Sequence, residues 1–222
     1  MKYIIIVTTL FFGLFSCANS GKPNEIDLSE YIEENQIDWK KTKLIYILGK
    51  LADSTFNESD SLTNFFDFKI IDSNGIIKPA TLEMAISLHN KNIKNGDSDV
   101  HPIFEIKNSS TVILPAYGKG LWGSIWAYLV VNKTTLKIIN IEIDHQTETP
   151  GLGAEINKDY FENQFIGTVI DSNQVNFSLY QNEKTLIKGL QKVDGLSGAT
   201  ITSISVVEMI NNDLLKFKKY LW

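Results

Sequence analysis

The stretch "SIWAYLVVNKTTLKIINIEID", Ser124 to Asp144, decides the fold of this chain. Two runs rich in β-branched and aromatic residues flank "NKTT", Asn132 to Thr135, whose small and polar residues are typical of a turn. Strand-forming runs joined by so short a connection predict an antiparallel hairpin. We therefore expect a sheet with antiparallel strands at the centre of the protein.

Further strand patterns surround this hairpin. On its N-terminal side, "IFEIK" and "TVILP" follow Pro102, and "FFDFKIIDSNGIIKPA" predicts a short hairpin that turns at Ser73 to Gly75. "KNGDSDVHP", between them, is typical of a linker. On the C-terminal side, strands are expected at Gly167 to Ile170, Val175 to Tyr180 and Leu186 to Leu190.

Helical periodicity appears in three places. Apolar residues recur at steps of three and four between Glu30 and Leu51, and "ATLEMAISLHNKNI" predicts a short helix. After residue 200 the same steps place one apolar face on a C-terminal helix, formed by Ile204, Val207, Ile210, Leu214, Phe217 and Leu221. The predicted fold class is α+β, a twisted, mainly antiparallel sheet flanked by helices.

Composition narrows the possible partners. The chain has 222 residues, of which 43% are hydrophobic, enough for one sizeable core. Its formal net charge is -5, which disfavours nucleic acid as a partner. All 21 basic residues are lysines, so an anion site must use backbone N–H groups and lysine rather than the arginine fork.

The N-terminus has the features of an export segment. "MKYIIIVTTLFFGLFSC" carries one lysine and an apolar run that ends at Cys17, the only cysteine. A lipobox with lipidation of Cys17 explains both features, and an uncleaved anchor helix or an ordinary cleaved signal are the alternatives. We divide the chain into this segment (1–17), a tether (18–30), a helical and hairpin segment (31–99) and a C-terminal domain (100–222).

"VDGLSGATITS", Val193 to Ser203, is the first stretch that can carry chemistry. Gly198 and Ala199 keep the backbone bare just before a helix whose first N–H groups are free, so a phosphate can bind there. Asp194 could hold a metal or orient an amide. The structural alternative is a helix start capped by serine or threonine.

"HQTETPGLGAEI", His145 to Ile156, follows the central hairpin directly. Pro150, Gly151 and Gly153 predict a tight turn, and loops at strand ends often carry ligand contacts. The alternative is a polar turn without a ligand. His145 is expected to be a structural hydrogen-bonding residue, and we predict no metal site because the three histidines lack ligand spacing.

The third stretch is "YGKGLWGSIWAYLVV", Tyr117 to Val131. Leu121 and Trp122 lie on a glycine-rich corner, where an indole could pack on a planar ring. The alternative is that Trp122 and Trp126 belong to the core. Taken together, the three stretches supply a phosphate anchor, a polar turn and an aromatic corner, which are the needs of flavin mononucleotide (FMN).

These stretches resemble the signature sequences of the FMN-binding domain in the C subunit of the bacterial sodium-translocating NADH:quinone reductase; the G subunit of the electron-transport complex is a more distant relative. The resemblance covers roughly Val100 to Asn212. It implies that a flavin transferase esterifies FMN through its phosphate to Thr200, with Thr202 helping to hold the phosphate and Lys192 assisting neutralisation. The other residues that it places around the cofactor are Asp194, Ser197, Gly198, Ala199, Glu148, Thr149, Gly151, Leu152, Gly153, Leu121 and Trp122.

The resemblance implies an electron-transfer subunit that works with other membrane reductase subunits at the extracytoplasmic face of a bacterial membrane. Members of this family carry a transmembrane helix where this chain has the lipobox-like segment. A stand-alone, lipid-anchored FMN carrier and a non-flavin binding lipoprotein of the same fold therefore stay open as alternatives. A hydrolase with Ser197 as nucleophile is disfavoured, because no histidine follows Ser197 and the run lacks the glycine spacing of a nucleophile elbow.

Overall fold

A computed structural model describes residues 43–52, 61–97, 99–171, 173–180 and 189–222. Its main feature is a six-stranded sheet in the order β2-β1-β3-β4-β5-β6, in which every neighbouring pair is antiparallel. The strands are β1 (Phe66–Asp72), β2 (Ile77–Pro79), β3 (Val100–Ile106), β4 (Thr111–Lys119), β5 (Ser124–Asn132) and β6 (Lys137–His145). A separate parallel pair joins β7 (Phe177–Tyr180) to β8 (Gln191–Asp194).

Helices cover both faces of the sheet. They are α1 (Lys43–Ala52), α2 (Leu62–Phe65), α3 (Leu82–Asn95), α4 (Asp159–Glu162), α5 (Thr200–Lys216) and α6 (Lys218–Leu221). The predicted fold class, a mainly antiparallel sheet flanked by helices, is confirmed. The sheet also crosses the predicted division at residue 99, because β1 pairs with β3 along its full length; that division stays a prediction.

The central hairpin forms as its sequence predicts and supplies the core on both faces. Ile125, Ala127 and Leu129 of β5 are buried on the α5 side, whereas Tyr128 and Val130 are buried on the α3 side. Successive side chains of a strand point to opposite faces, so a strand between two helix layers must be apolar at nearly every position. This explains why β5 is a continuous apolar run.

A group of buried polar side chains fills a seam between β3 and β4. The paired residues of these strands are Phe104 with Ile113 and Glu105 with Val112, and beyond them His101 and Tyr117 bring their rings to 5.6 Å. His89 of α3 lies within hydrogen-bond distance of the Tyr117 hydroxyl (2.8 Å from Nδ1) and of the Tyr128 hydroxyl (3.0 Å from Nε2). Burial lowers the pKa of His89 to about 3, so the imidazole is neutral and has one donor and one acceptor for the two phenols.

Several sequence-based expectations change in detail. The prediction of a strand at Gly167 to Ile170 is wrong. This segment forms a single isolated bridge, between Val169 and Lys137, rather than a strand. Of the strand expected at Leu186 to Leu190, residues 186–188 lie outside the described part, and Gly189 and Leu190 form a turn before β8. The expected linker after α3 is shorter because β3 already begins at Val100. Cys17, the segment around it and the tether lie outside the described residues.

Glu162 covers part of the outer edge of β6. Its Oε1 accepts the backbone N–H of Ile143 at 2.5 Å, which satisfies a donor at the edge of the six-stranded sheet. Burial, reinforced by Glu142, Asp159 and Asp144 and opposed by the Ile143 hydrogen bond, raises the pKa of Glu162 to about 7. The protonated acid is therefore the form that the folded protein prefers below that pH.

The Glu162→Gln variant is expected to be more stable than wild type at pH 8, by about 2 kcal/mol, which is less than the full equivalent of the pKa shift because solvent screens part of the interaction. The sign follows from linkage: a carboxyl whose pKa rises on folding from 4.5 to about 7 contributes most below pH 4.5 and loses this contribution as the pH rises towards 7. Urea unfolding of both chains between pH 4.5 and 8 measures the difference. Glu142→Gln, the matched control, removes one neighbouring charge and should move the loss to lower pH; equal pH slopes in wild type and Glu162→Gln would contradict the prediction.

Candidate cofactor-binding site

The three sequence stretches meet at the carboxylate of Glu148. Its Oε1 accepts the backbone N–H of Trp122 at 2.8 Å, and its Oε2 accepts the hydroxyl of Thr202 at 2.8 Å. Glu148 is 4% exposed, so these contacts are shielded from water. The β4–β5 corner, the loop after β6 and the first turn of α5 are thus joined through one side chain.

The start of α5 has no side-chain cap. Ala199 occupies the N-cap position with φ -132° and ψ 38°, and no side chain of the described residues caps this end by a hydrogen bond. The alternative prediction of a serine- or threonine-capped start is therefore wrong in its chemistry, although the helix does begin at Thr200. The N–H of Ser203 bonds to the carbonyl of Ala199, which leaves the N–H groups of residues 200–202 without a partner inside the helix.

Thr200 and Ser197 are exposed beside this uncapped end, whereas Thr202 is buried with its hydroxyl on Glu148. Gly198 has φ +73°, a conformation that favours glycine, and a Cβ there would lie 2.8 Å from Leu152 Cδ2. The backbone conformation therefore favours the glycine expected at this position, whereas the exposed Leu152 side chain could move aside. The arrangement leaves one accessible hydroxyl, that of Thr200, on the first turn of the helix.

Two side chains hold the loop before α5: that of Ser203, whose hydroxyl is one of those in the stretch Val193 to Ser203, and that of Gln164, which the sequence patterns did not single out. Gln164 pairs with both backbone groups of Asp194, accepting its N–H at 2.6 Å and donating to its carbonyl at 3.3 Å. Ser203 Oγ accepts the N–H of Leu196 at 3.0 Å and donates to the Ala199 carbonyl at 3.0 Å. Gln164 lies in a loop distant in sequence, so no local pattern could have revealed its role.

Several exposed apolar side chains lie on the segments that meet at this site. Trp122 is 67% exposed, so the alternative of a core residue is wrong for it, whereas Trp126 packs against the α3-side core. Leu121 and Leu152 are also exposed, as is Ile201, which the patterns did not single out. We call Leu121, Trp122, Leu152 and Ile201 the apolar shelf. Clusters of exposed apolar side chains often mark ligand or partner contacts.

Lys192 and Asp194 are engaged with each other at the end of β8. Lys192 Nζ lies 2.9 Å from Asp194 Oδ1 and 3.6 Å from the centre of the Tyr180 ring. The sequence interpretation of Asp194 as a metal ligand finds no support, since no group of three or more candidate metal ligands occurs within the described ranges. The N–H groups at the start of α5 add a positive potential beside Thr200.

The remaining predicted residues shape the β6 loop. The carbonyl of Thr149 accepts the N–H groups of Leu152 and Ala154, each at 3.1 Å, and Gly151 takes φ +75°. A side chain at Gly153 would collide with Glu148 and Thr202. His145 Nδ1 accepts the N–H of Glu148 at 3.3 Å, which confirms its structural role.

Two clefts are present elsewhere on the surface. One, of about 350 Å³, lies between β4 and α5 beside Lys119 and Glu208; the other, of about 480 Å³, lies beside β1, β2 and the start of α3. Neither is lined by Thr200, Trp122 or Glu148. The candidate site is thus separate from both of these clefts.

Comparison with known families defines the class of protein. Residues 120–214 match the FMN-binding domain family. This range includes Trp122, Glu148 and Thr200, one residue from each of the three stretches. The part of the chain that carries the Glu148 contacts, the apolar shelf and Thr200 therefore lies within the region that is similar to FMN-binding domains.

Individual relatives make the resemblance specific. The C subunit of the Na(+)-translocating NADH-quinone reductase (NqrC) from Chlamydia caviae is 33% identical over 135 residues, which cover 52% of this chain and 42% of the relative. The same subunit from Vibrio vulnificus is 35% identical over 115 residues, 51% of this chain and 41% of the relative. The chain thus spans less than half the length of these relatives. The predicted resemblance to this subunit is confirmed.

Solved structures agree on the fold. NqrC from Parabacteroides distasonis superimposes with a TM-score of 0.60 at 26% identity, covering 80% of this chain and 95% of the other. Shewanella oneidensis NqrC gives a TM-score of 0.60 at 19% identity, with 80% and 94% covered, and supports the fold alone. Among the described residues, no helix is long and apolar enough to cross a membrane.

Proposed function

We propose that this protein is an FMN-carrying electron-transfer subunit of a membrane NADH:quinone oxidoreductase of the Na(+)-translocating type, with the flavin esterified through its phosphate to Thr200. The observation that carries the proposal is the exposed Thr200 hydroxyl on an uncapped helix start, next to the apolar shelf. The match of residues 120–214 to the FMN-binding domain and the likeness to NqrC support it.

The phosphate has a suitable environment at Thr200. Backbone N–H groups of residues 200–202 face the start of the helix, and the helix dipole favours an anion there. Lys192 already pairs with Asp194, so the helix end supplies most of the neutralisation and Lys192 a smaller share. A phosphodiester carries one negative charge, which this environment balances without arginine.

The linkage itself is a phosphoryl transfer. The bond that forms joins Thr200 Oγ1 to the phosphorus of FMN, and a flavin activated as a dinucleotide pyrophosphate supplies the reactive group. The pyrophosphate P–O bond breaks, the nucleoside monophosphate leaves, and the threonine proton passes to a base of the flavin transferase or to water. Oxidation states do not change in this step.

The isoalloxazine ring fits the apolar shelf. Trp122 offers an indole face at 67% exposure, and Leu152 and Leu121 present apolar side chains beside it. Sites that retain free cofactors are usually concave. A covalent bond at Thr200 holds the flavin on this exposed apolar surface without relying on such enclosure.

The protein's part in the chemistry is to orient the flavin and set its potential for electron exchange with neighbouring reductase subunits. No acid or base at the shelf is required for this role. We further propose membrane association through the N-terminal segment, by lipidation of Cys17, with the domain at the extracytoplasmic face. The division of the chain at residues 17, 30 and 99 belongs to the same proposal.

Intact-mass analysis of the exported chain, co-expressed with a flavin transferase, tests this function. We expect a mass increase equal to one FMN minus one water, together with flavin fluorescence of the band in a denaturing gel. An unmodified mass under these conditions would contradict the proposal and favour the non-flavin lipoprotein. A flavin-loaded chain that purifies without other reductase subunits would instead favour a stand-alone carrier.

A further inference from the structure

Glu148 differs from the other residues of the candidate site in that both oxygens of its side chain already accept hydrogen bonds from the protein. One bond comes from the Trp122 N–H and the other from the Thr202 hydroxyl. With 4% exposure, the group has little surface left for a cofactor contact.

The surrounding backbone is built to admit this carboxylate. A Cβ at Gly120 would collide with Oε1 of Glu148, and a Cβ at Gly153 would collide with Oε2. Gly120 belongs to the β4–β5 corner that Glu148 contacts, and Gly153 belongs to the loop that carries Glu148. The close approach of three loops around one side chain therefore depends on the absence of side chains at two positions.

The two groups that donate hydrogen bonds to Glu148 lie next to the two parts of the proposed flavin site, the phosphate anchor and the ring surface. Thr202 is on the first turn of α5, two residues after Thr200. Trp122 has the most exposed side chain of the apolar shelf. We propose that Glu148 is a positioning residue: its carboxylate fixes the Trp122 corner against the start of α5 and so sets the ring site relative to the phosphate anchor. This inference rests on the proposed function, and it assigns Glu148 no direct contact with the flavin.

Two substitutions separate this role from a general contribution to folding. Glu148→Gln keeps the bridge, because the amide oxygen can accept from the Trp122 N–H while the amide nitrogen donates to Thr202 Oγ1. Glu148→Ala removes both contacts. A displacement of about 1 Å at a reacting group can cost roughly 100-fold in rate, so we expect Glu148→Ala to accept flavin from the transferase at least about 10-fold more slowly.

The experiment measures the rate of flavin attachment, as kcat and KM of the transferase for the full chain, alongside backbone amide exchange of Trp122. We expect Glu148→Ala to lower kcat more than it raises KM and to expose the Trp122 amide to exchange, and Glu148→Gln to restore both. Gln146→Ala changes an exposed side chain of the same loop, and as the matched control it should keep the wild-type kcat.

Attachment at the wild-type rate in a folded Glu148→Ala chain would overturn the inference. So would a Glu148→Gln chain that is folded but as impaired as the alanine variant, because the bridge would then not be the decisive feature. If wild type accepts no flavin, the proposed function fails, while unchanged Trp122 amide protection in Glu148→Ala would separately overturn the positioning role. If Glu148→Ala does not fold, the comparison of Glu148→Gln with wild type decides.

Discussion

Replacing Thr200 by alanine is expected to abolish covalent flavin attachment completely while leaving the fold intact. Thr200 is exposed at the first position of α5, and no side-chain cap forms at this end of the helix. Loss of its hydroxyl therefore removes the proposed ester oxygen without removing a buried contact. Helix propensity favours alanine over threonine by a few tenths of a kcal/mol, so stability should not fall.

Intact mass and in-gel fluorescence measure this outcome. Thr200→Ser keeps an oxygen at the same place and should retain attached flavin, whereas Ser197→Ala removes a neighbouring exposed hydroxyl and should have no effect on the mass. Full flavin attachment in Thr200→Ala, or its loss in Ser197→Ala alone, would show that another hydroxyl carries the ester. The unfolding midpoint in urea serves as the check that each variant is folded.

Replacing Asp213 by alanine is expected to destabilise the folded protein by about 3–5 kcal/mol. Asp213 is 1% exposed, and its Oδ2 accepts the backbone N–H of Tyr117 at 2.7 Å and lies 3.3 Å from His101 Nε2. Its Oδ1 pairs with Lys216 Nζ at 2.9 Å. Because the alanine variant leaves a buried N–H and the seam imidazole without their acceptor, it loses more than the net value of the bonds.

Urea unfolding at neutral pH measures the loss. Asp97→Ala, which removes the exposed partner of the same lysine, is the control and should cost about 0–1 kcal/mol, since Asp97 is 76% exposed on its side chain. Asp213→Asn keeps one acceptor and should fall between the two. A loss in Asp213→Ala no larger than that in Asp97→Ala would mean that the seam between β3 and β4 does not depend on this carboxylate.

Local patterns predicted the parts of the fold that depend on neighbours in sequence. The hairpin at Ser124–Asn132 and Lys137–His145, the helix from Thr200 and the turn at Gly75 all form as expected. Alternation and three-to-four spacing report which face of an element is buried, and burial drives the formation of these elements. The error at Gly167 to Ile170 has the same origin, because a short apolar run indicates burial without specifying a strand partner.

The residues of the candidate site divide along the same line. Thr200, Gly198, Trp122 and Glu148 were singled out from motifs and their resemblance to a family, since turn chemistry and helix starts are written in short stretches. The distances between these residues could not be predicted from the sequence. Gln164 and Ile201 joined the site only in the folded chain.

The sequence by itself determined the elements, the motif residues and the class of cofactor they resemble, because each of these depends on residues within a few positions of one another. Only the tertiary structure decided that the start of α5 lacks a side-chain cap, that Trp122 faces solvent, and that the Glu148 carboxylate joins Trp122 to Thr202. Glu148 and Thr202 are 54 residues apart in the chain. Such a hydrogen bond forms only when the folded sheet brings loops that are distant in sequence close together. No local sequence pattern encodes that geometry.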